Sequence, residues 1–137
     1  MPATHLLDTS VFSQPIKRKP VQAALDRWDA LGDARTVISA ICEAEVRFGL
    51  HKLGSPSLLA AFETHLKNRL PILPVDSSVA DTYARLRAEC ERNGKSVADM
   101  DLLIAATAKA HNLIVATLNL RDFDKIPGLT VEDWSQS

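Results

Sequence analysis

The sequence is short of the residues that would mark several common kinds of site. Its two cysteines, Cys42 and Cys90, stand far apart, and its four histidines are scattered, so neither a Cys-x-x-Cys pair nor a zinc-ligand spacing is present. A disulfide scaffold and a dithiol redox centre are thereby excluded, and two reduced, buried thiols are expected. Only five glycines occur, and none falls in a glycine-rich phosphate loop, which removes P-loop and Rossmann readings. No apolar run approaches the ~18 residues of a membrane span, and Asp8 cuts short the apolar stretch at the N-terminus, so a cytoplasmic protein without membrane contact is expected. The 16 basic residues balance 17 acidic ones to a net charge of −1, leaving no bulk electrostatic signature of a nucleic-acid binder. With seven aromatic residues in all, base stacking cannot form a broad platform.

What is present fits one compact domain over residues 1–137, since the composition is 46% hydrophobic and 24% charged, near the globular average. Leu6-Leu7 reads as a short strand, and after the basic, proline-flanked stretch Pro15, Lys17, Arg18, Lys19, Pro20 a helical pattern runs from Val21 to about Leu31. Thr36-Val37-Ile38 predicts a second strand, with Ser39 capping a helix from Ala40 to about Leu53. A helix over about Ser57–Asn68, an extended segment at Ile72–Val75 and a helix capped by Asp76-Ser77 and stopped at Asn93-Gly94 follow. Ser96 is expected to start a buried helix from Val97 to about His111; Leu113–Ala116 and Leu129–Val131 read as the last strands, with Trp134 as an anchor. Short apolar strands alternating with helices predict an α/β fold with a mainly parallel sheet of four to five strands, in which ligands bind at the carboxyl ends of the strands.

The acids at those ends carry the chemical argument. Asp8 follows the first strand directly and has two readings, a cap of the segment after it or a functional carboxylate. In Glu43-Ala44-Glu45 an offset of two residues at ~100° each turns the side chains to nearly opposite faces. Glu43 pairs with Arg47 one turn on, whereas Glu45 shares its side with Ile41, Cys42 and Phe48, with Gly49 nearby allowing a close approach. A carboxylate on an apolar stripe needs a compensating partner, which makes Glu45 the candidate. Asp99, three residues after Ser96, has the spacing of a capping box, while Asp101 enters the buried helix from its apolar side and is left for function or for the helix dipole. Asn119 follows the strand ending at Ala116 and is otherwise a turn former. If Asp8, Glu45, Asp101 and Asn119 converge, the mutual repulsion of three carboxylates calls for a proton or a divalent cation, and oxygen-only ligands favour Mg²⁺ or Mn²⁺.

The segments Leu6-Leu7-Asp8-Thr9-Ser10-Val11, Ile38-Ser39-Ala40-Ile41 running into Ala44-Glu45-Val46-Arg47-Phe48-Gly49, Asp101-Leu102-Leu103-Ile104-Ala105-Ala106 and Val115-Ala116-Thr117-Leu118-Asn119 with Asp122-Phe123 resemble, in this order and over essentially the whole chain, the PIN-domain family. Within it the similarity is to VapC-type toxins and FitB-like proteins. The resemblance implies a three-layer α/β/α fold and a Mg²⁺- or Mn²⁺-dependent endoribonuclease acting on structured RNA such as tRNA or rRNA. It also implies a homodimer silenced by a cognate VapB-like antitoxin, with operator DNA bound only through that antitoxin. It carries the family's three acids onto Asp8, Glu45 and Asp101, and places Asn119 where many members have a fourth Asp; Asp122 could supply that charge instead.

On this reading Asp8 and Asp101 hold the cation, directly or through water, and Glu45 is either a further ligand or the group that orients the attacking water. Thr9 and Ser10 could donate to a bound water or the phosphate, or simply cap. Lys17, Arg18, Lys19, Lys95 and Arg121 flank the acids and could track RNA phosphates, although for any one of them a solvated surface charge is the more ordinary reading. A haloacid-dehalogenase-type phosphatase would want a second Asp where Ser10 stands, and a receiver domain would leave Glu45 and Asp101 unexplained. The competing function is a FitB-like partner acting with its antitoxin as a regulatory complex of weak or absent nuclease activity.

Overall fold

The structure is a computed structural model that describes residues 2–137. Five strands, β1 (His5–Leu7), β2 (Thr36–Ser39), β3 (Ile72–Leu73), β4 (Ile114–Thr117) and β5 (Val131–Asp133), form one sheet in the order β3-β2-β1-β4-β5. Every pairing is parallel, as the strand-helix alternation predicts. Seven helices cover it: α1 (Thr9–Phe12), α2 (Gln22–Leu31), α3 (Ala40–Leu53), α4 (Pro56–His65), α5 (Ser77–Arg92), α6 (Asp99–Ala110) and α7 (Leu120–Phe123).

Period-two alternation in the strands divides the apolar residues between two cores. Leu7, Ile38 and Ala116 face one way and pack with Val11, Phe12, Trp28, Cys42 and Phe62 of α1 to α4. Leu6, Val37 and Val115 face the other and pack with Val79 and Leu86 of α5 and Leu102, Ile104 and Ala105 of α6. The result is three layers, α/β/α. Because β2 and β4 flank β1 on opposite sides, the chain turns outward in both directions from β1. The carboxyl ends of β1 and β4 therefore border the point where strand order reverses, the place where an open parallel sheet leaves a crevice.

The caps read from sequence are present at α3, where the Ser39 hydroxyl accepts from the Cys42 amide at 3.1 Å, and at α5, where Asp76 accepts from Val79 at 3.0 Å. Elsewhere the boundaries move. The capping box proposed for Ser96 and Asp99 does not form: residues 95–98 belong to no helix or strand, Ala98 is the cap with extended backbone, and Asp99 is the first helical residue. Helix α4 stops at His65 rather than near Asn68, whose positive φ of 60° breaks the helix. Strand β5 lies two residues later than Leu129–Val131, fixed by pairing of Val115 with Val131. Trp134 is buried as expected, its indole N–H donating to Glu132 at 3.1 Å.

Candidate active site

Asp8 takes both of its proposed roles at once. It caps α1, its Oδ1 accepting from the Val11 amide at 3.2 Å, and its carboxylate is also held by two hydroxyls, Ser10 on Oδ1 and Thr117 on Oδ2, each at 2.6 Å. The direction of those hydroxyls is fixed. Ser10 Oγ accepts from the Leu118 amide at 3.0 Å and Thr117 Oγ1 from the Asn119 amide at 2.9 Å, which leaves each hydroxyl proton to point at Asp8. Parallel pairing of Leu7 with Ala116 puts Asp8 beside Thr117, and the Asp8 amide donates to the Ala116 carbonyl at 3.0 Å. Burial pushes the Asp8 carboxyl above its ordinary pKa, opposed by the bonds from Ser10, Thr117 and Val11. Oδ1 has two donors and Oδ2 only one, so Oδ2 keeps acceptor capacity for a further partner.

Glu45 stands in the second turn of α3 and is half-buried, with the Thr9 hydroxyl donating to its Oε1 at 2.5 Å. Thr9 and Ser10 thus each hold an acid of the site. Phe48 does not share the buried side expected for it: it is 65% exposed, with the Lys52 ammonium 5.9 Å from its ring centroid. Nor does Gly49 permit a close approach, because a Cβ there would meet nothing within 4 Å; it leaves open space instead. Glu43 pairs with Arg47 at 3.3 Å, as its spacing predicts.

Asp101 differs from Asp8 in having no hydrogen-bond donor among the described residues. Its carboxyl is pushed up to about 6, first by burial and then by the charges of Asp122, Glu45 and Asp8. Three acids, each from a different element, therefore act electrostatically on Asp101. Asp122, on α7, exerts the largest of the three charge effects on Asp101. Asn119 begins α7 exposed and makes no side-chain cap bond. Asp99 turns elsewhere, accepting from the Tyr83 hydroxyl at 3.2 Å and lying 3.7 Å from Arg87, so it straps α6 to α5.

Among the described residues no three His, Cys, Asp or Glu side chains stand close enough to chelate one ion together. The donor set nonetheless suits a hard divalent cation. It is oxygen-only, it is mutually repelling at Asp101, and Mg²⁺ characteristically uses one or two carboxylates and keeps its waters. Of the basic candidates, Lys17 and Arg18 border a cleft that also reaches Thr9 and Glu45; Lys95 lines a separate depression with Arg87 and Val97; Lys19 and Arg121 are exposed. Thr117, which holds the Asp8 carboxylate, is the residue of the candidate site that sequence reasoning passed over, and the signal for it was the strand register that sets the end of β4 beside Asp8. Cys42 is buried, and burial with the charges of Asp8, Glu45 and Glu43 keeps it a neutral thiol; Cys90 is also buried and unpaired.

Comparison with known proteins places this site in a family. The PIN domain model matches residues 5–129. The tRNA(fMet)-specific endonuclease VapC of Salmonella typhimurium is 36% identical over 129 residues, 94% of this chain and 96% of the relative. Among solved structures, FitAcB from Neisseria gonorrhoeae superposes with a TM-score of 0.87 at 33% identity, covering 96% of this chain and 98% of that one. DNA-bound VapBC from Salmonella typhimurium superposes with a TM-score of 0.84 at 36% identity over 96% and 98% of the two chains. The three-layer parallel sheet agrees with these matches, and the chain belongs to the PIN-domain family, among the VapC and FitB toxins of type II toxin–antitoxin modules.

Proposed function

We propose that this chain is the toxin of a toxin–antitoxin pair and hydrolyses RNA phosphodiester bonds with Mg²⁺ or Mn²⁺, structured RNA such as tRNA being the substrate class. The observation that carries the reading is the set Asp8, Glu45, Asp101 and Asp122. Burial and the charges of the other three push Asp101 up to about 6, and no protein cation is among the charges that act on it. A protein that keeps such repulsion gains nothing in stability from it, so a ligand of opposite charge is its natural complement. The name of the Salmonella relative, a tRNA-specific endonuclease, supports RNA as substrate.

Asp8 and Asp101 would hold the cation, with Asp122 and Glu45 reaching it through water. Bound there, a divalent cation supplies charge neutralisation at the phosphate and acidification of water. The protein's own contribution is orientation. Ser10 and Thr117 fix the plane of the Asp8 carboxylate, and Thr9 occupies Glu45 Oε1, leaving Oε2 to accept a proton from a water attacking in line. Asn119, at the head of α7, has a free carboxamide to donate to a phosphoryl oxygen.

An antitoxin that covers this edge is the proposed partner, supported by the superposition on VapBC and FitAcB; a homodimer and operator DNA bound through the antitoxin complete the assembly. The same superposition supports the second reading, a regulatory complex of low nuclease activity. The deciding experiment is incubation of antitoxin-free protein with total RNA in Mn²⁺, in Mg²⁺ and in EDTA, followed by sequencing of the RNA ends. Discrete ends that vanish in EDTA and with Asp101→Asn are expected; intact RNA under all conditions would leave only the regulatory reading.

A further inference from the structure

We infer that the cleft between α3, α4 and the loop after α1 is a seat for one unpaired nucleobase of the RNA, next to the nucleotide being cut. The inference rests on the ribonuclease reading and deepens it. The cleft holds about 290 Å³, at the small end of the range for small-molecule sites, and its walls are aliphatic: Ile16, Val46, Leu50, Leu53 and Leu58, with Gly49 leaving one wall open. One end reaches Thr9 and Glu45, so the cleft is continuous with the acids. Its rim carries Lys17 and Arg18, both exposed and neither in an ion pair among the described residues.

The rim is not a loose charge run. Buried Gln14 donates through Nε2 to the Ser10 carbonyl at 2.8 Å and accepts from the Val21 amide at 2.7 Å, so one side chain closes the loop bearing Lys17, Arg18 and Lys19 onto α1. The loop backbone that carries the two cations is thereby tied to the same short helix that Asp8 caps. An aliphatic slot with acids at one end and fixed cations at the rim matches a nucleotide: apolar base faces inside, phosphates on the cations, and the next phosphate at the acids. Charge complementarity decides for RNA over an apolar peptide segment, which would have no use for Lys17 and Arg18. Recognition of single-stranded RNA by splayed-out bases also explains how a chain with seven aromatic residues selects a site without a stacking surface.

Gly49→Leu tests this cleanly. The new side chain starts in open space and projects into the cleft, and replacing a helix-interior glycine removes a backbone-entropy penalty, so the variant folds. The substrate is an RNA oligonucleotide spanning a site the wild type cuts, and a matched series in which each nucleotide flanking the cut is made abasic in turn. Wild type is expected to lose on the order of tenfold in kcat/KM at one abasic position and little at the others. Gly49→Leu is expected to lose a similar factor on the intact oligonucleotide, mainly through KM, and to be indifferent to that abasic position; Lys17→Ala with Arg18→Ala lowers cleavage of every oligonucleotide alike. If wild type cuts but Gly49→Leu cuts as well, the inference falls while the ribonuclease reading stands. Unchanged cleavage with weakened inhibition by antitoxin would make the cleft a peptide seat instead. Equal loss by Gly49→Leu on intact and abasic RNA also overturns the inference, and RNA left uncut by wild type removes it together with the ribonuclease reading.

Discussion

Asp8 and Asp101, the first of which acts electrostatically on the second, are built on opposite principles. Asp8 is buried and receives three hydrogen bonds, from Ser10, Val11 and Thr117. Asp101 is half-buried, receives none among the described residues, and is surrounded by Asp122, Glu45 and Asp8. One carboxylate has been given its environment in advance; the other depends on something that arrives. The difference teaches that the two halves of the site are prepared unequally. In the proposed metal site Asp8 would give a cation its place and Asp101 a reason to bind, and neutralising repelled acids would tie that binding to pH.

The comparison breaks most visibly in activity. Asp101→Asn and Asp8→Asn should each lower RNA cleavage by about 100-fold or more, as removal of a group directly engaged in proton or charge handling does. Asp101→Asn should still melt cooperatively, so that loss of its activity would report chemistry. Thr117→Val should follow. It strips the donor from Asp8 Oδ2 and the acceptor from the Asn119 amide in a buried place, costing about 1–3 kcal/mol in denaturant titrations and roughly 10- to 100-fold in metal-dependent cleavage.

A smaller effect sharpens the contrast through stability. With no cation, Asp101→Asn relieves repulsion and should raise Tm by about a degree or two, the gain being discounted because the carboxyl is partly in water. Asp8→Asn should lower Tm, because an amide cannot accept from both hydroxyls and the Val11 amide in the same way. The pH dependence follows from the direction of the shift. In the folded chain Asp101 holds its proton up to about 6, against an ordinary value of 3.8, so the native state binds more protons between them. Its contribution to stability is complete below about pH 4 and is lost as pH rises through 6. Added Mn²⁺ should therefore raise Tm more at pH 7 than at pH 5, measured by calorimetry; an equal rise at both would separate the cation from Asp101. Smallest of all, Asp99→Ala should cost at most about 0.5 kcal/mol and leave cleavage intact, since it removes only an exposed strap to Tyr83 and Arg87.

The layers and the choice of acids were legible in the residues because they depend on local pattern. Ser39 and Asp76 announce their helices, β-branched runs announce β2 and β4, and the two-residue offset separates Glu43, paired with Arg47, from Glu45, which turns to Thr9. What escaped was set by partners distant in sequence. Asp99 was assigned to Ser96 by spacing, yet Tyr83 and Arg87 on the preceding helix hold it. Phe48 fits an apolar stripe on paper, but no second helix covers that face, so it projects into solvent. Thr117 acquires its role only from the parallel register of β1 with β4, over a hundred residues apart in the chain. Asp122 gains weight over Asn119 for the same reason: α7 is a single turn too short to show periodicity, and its orientation is a product of packing through buried Phe123.

The buried thiol of Cys42 sits one turn before Glu45 and feels the charges of Asp8, Glu45 and Glu43. Burial, with those charges behind it, keeps the thiol neutral, so Cys42 offers a metal no thiolate sulfur. The same burial also leaves oxidants and alkylating reagents little to attack, so the site's chemistry should be insensitive to thiol reagents.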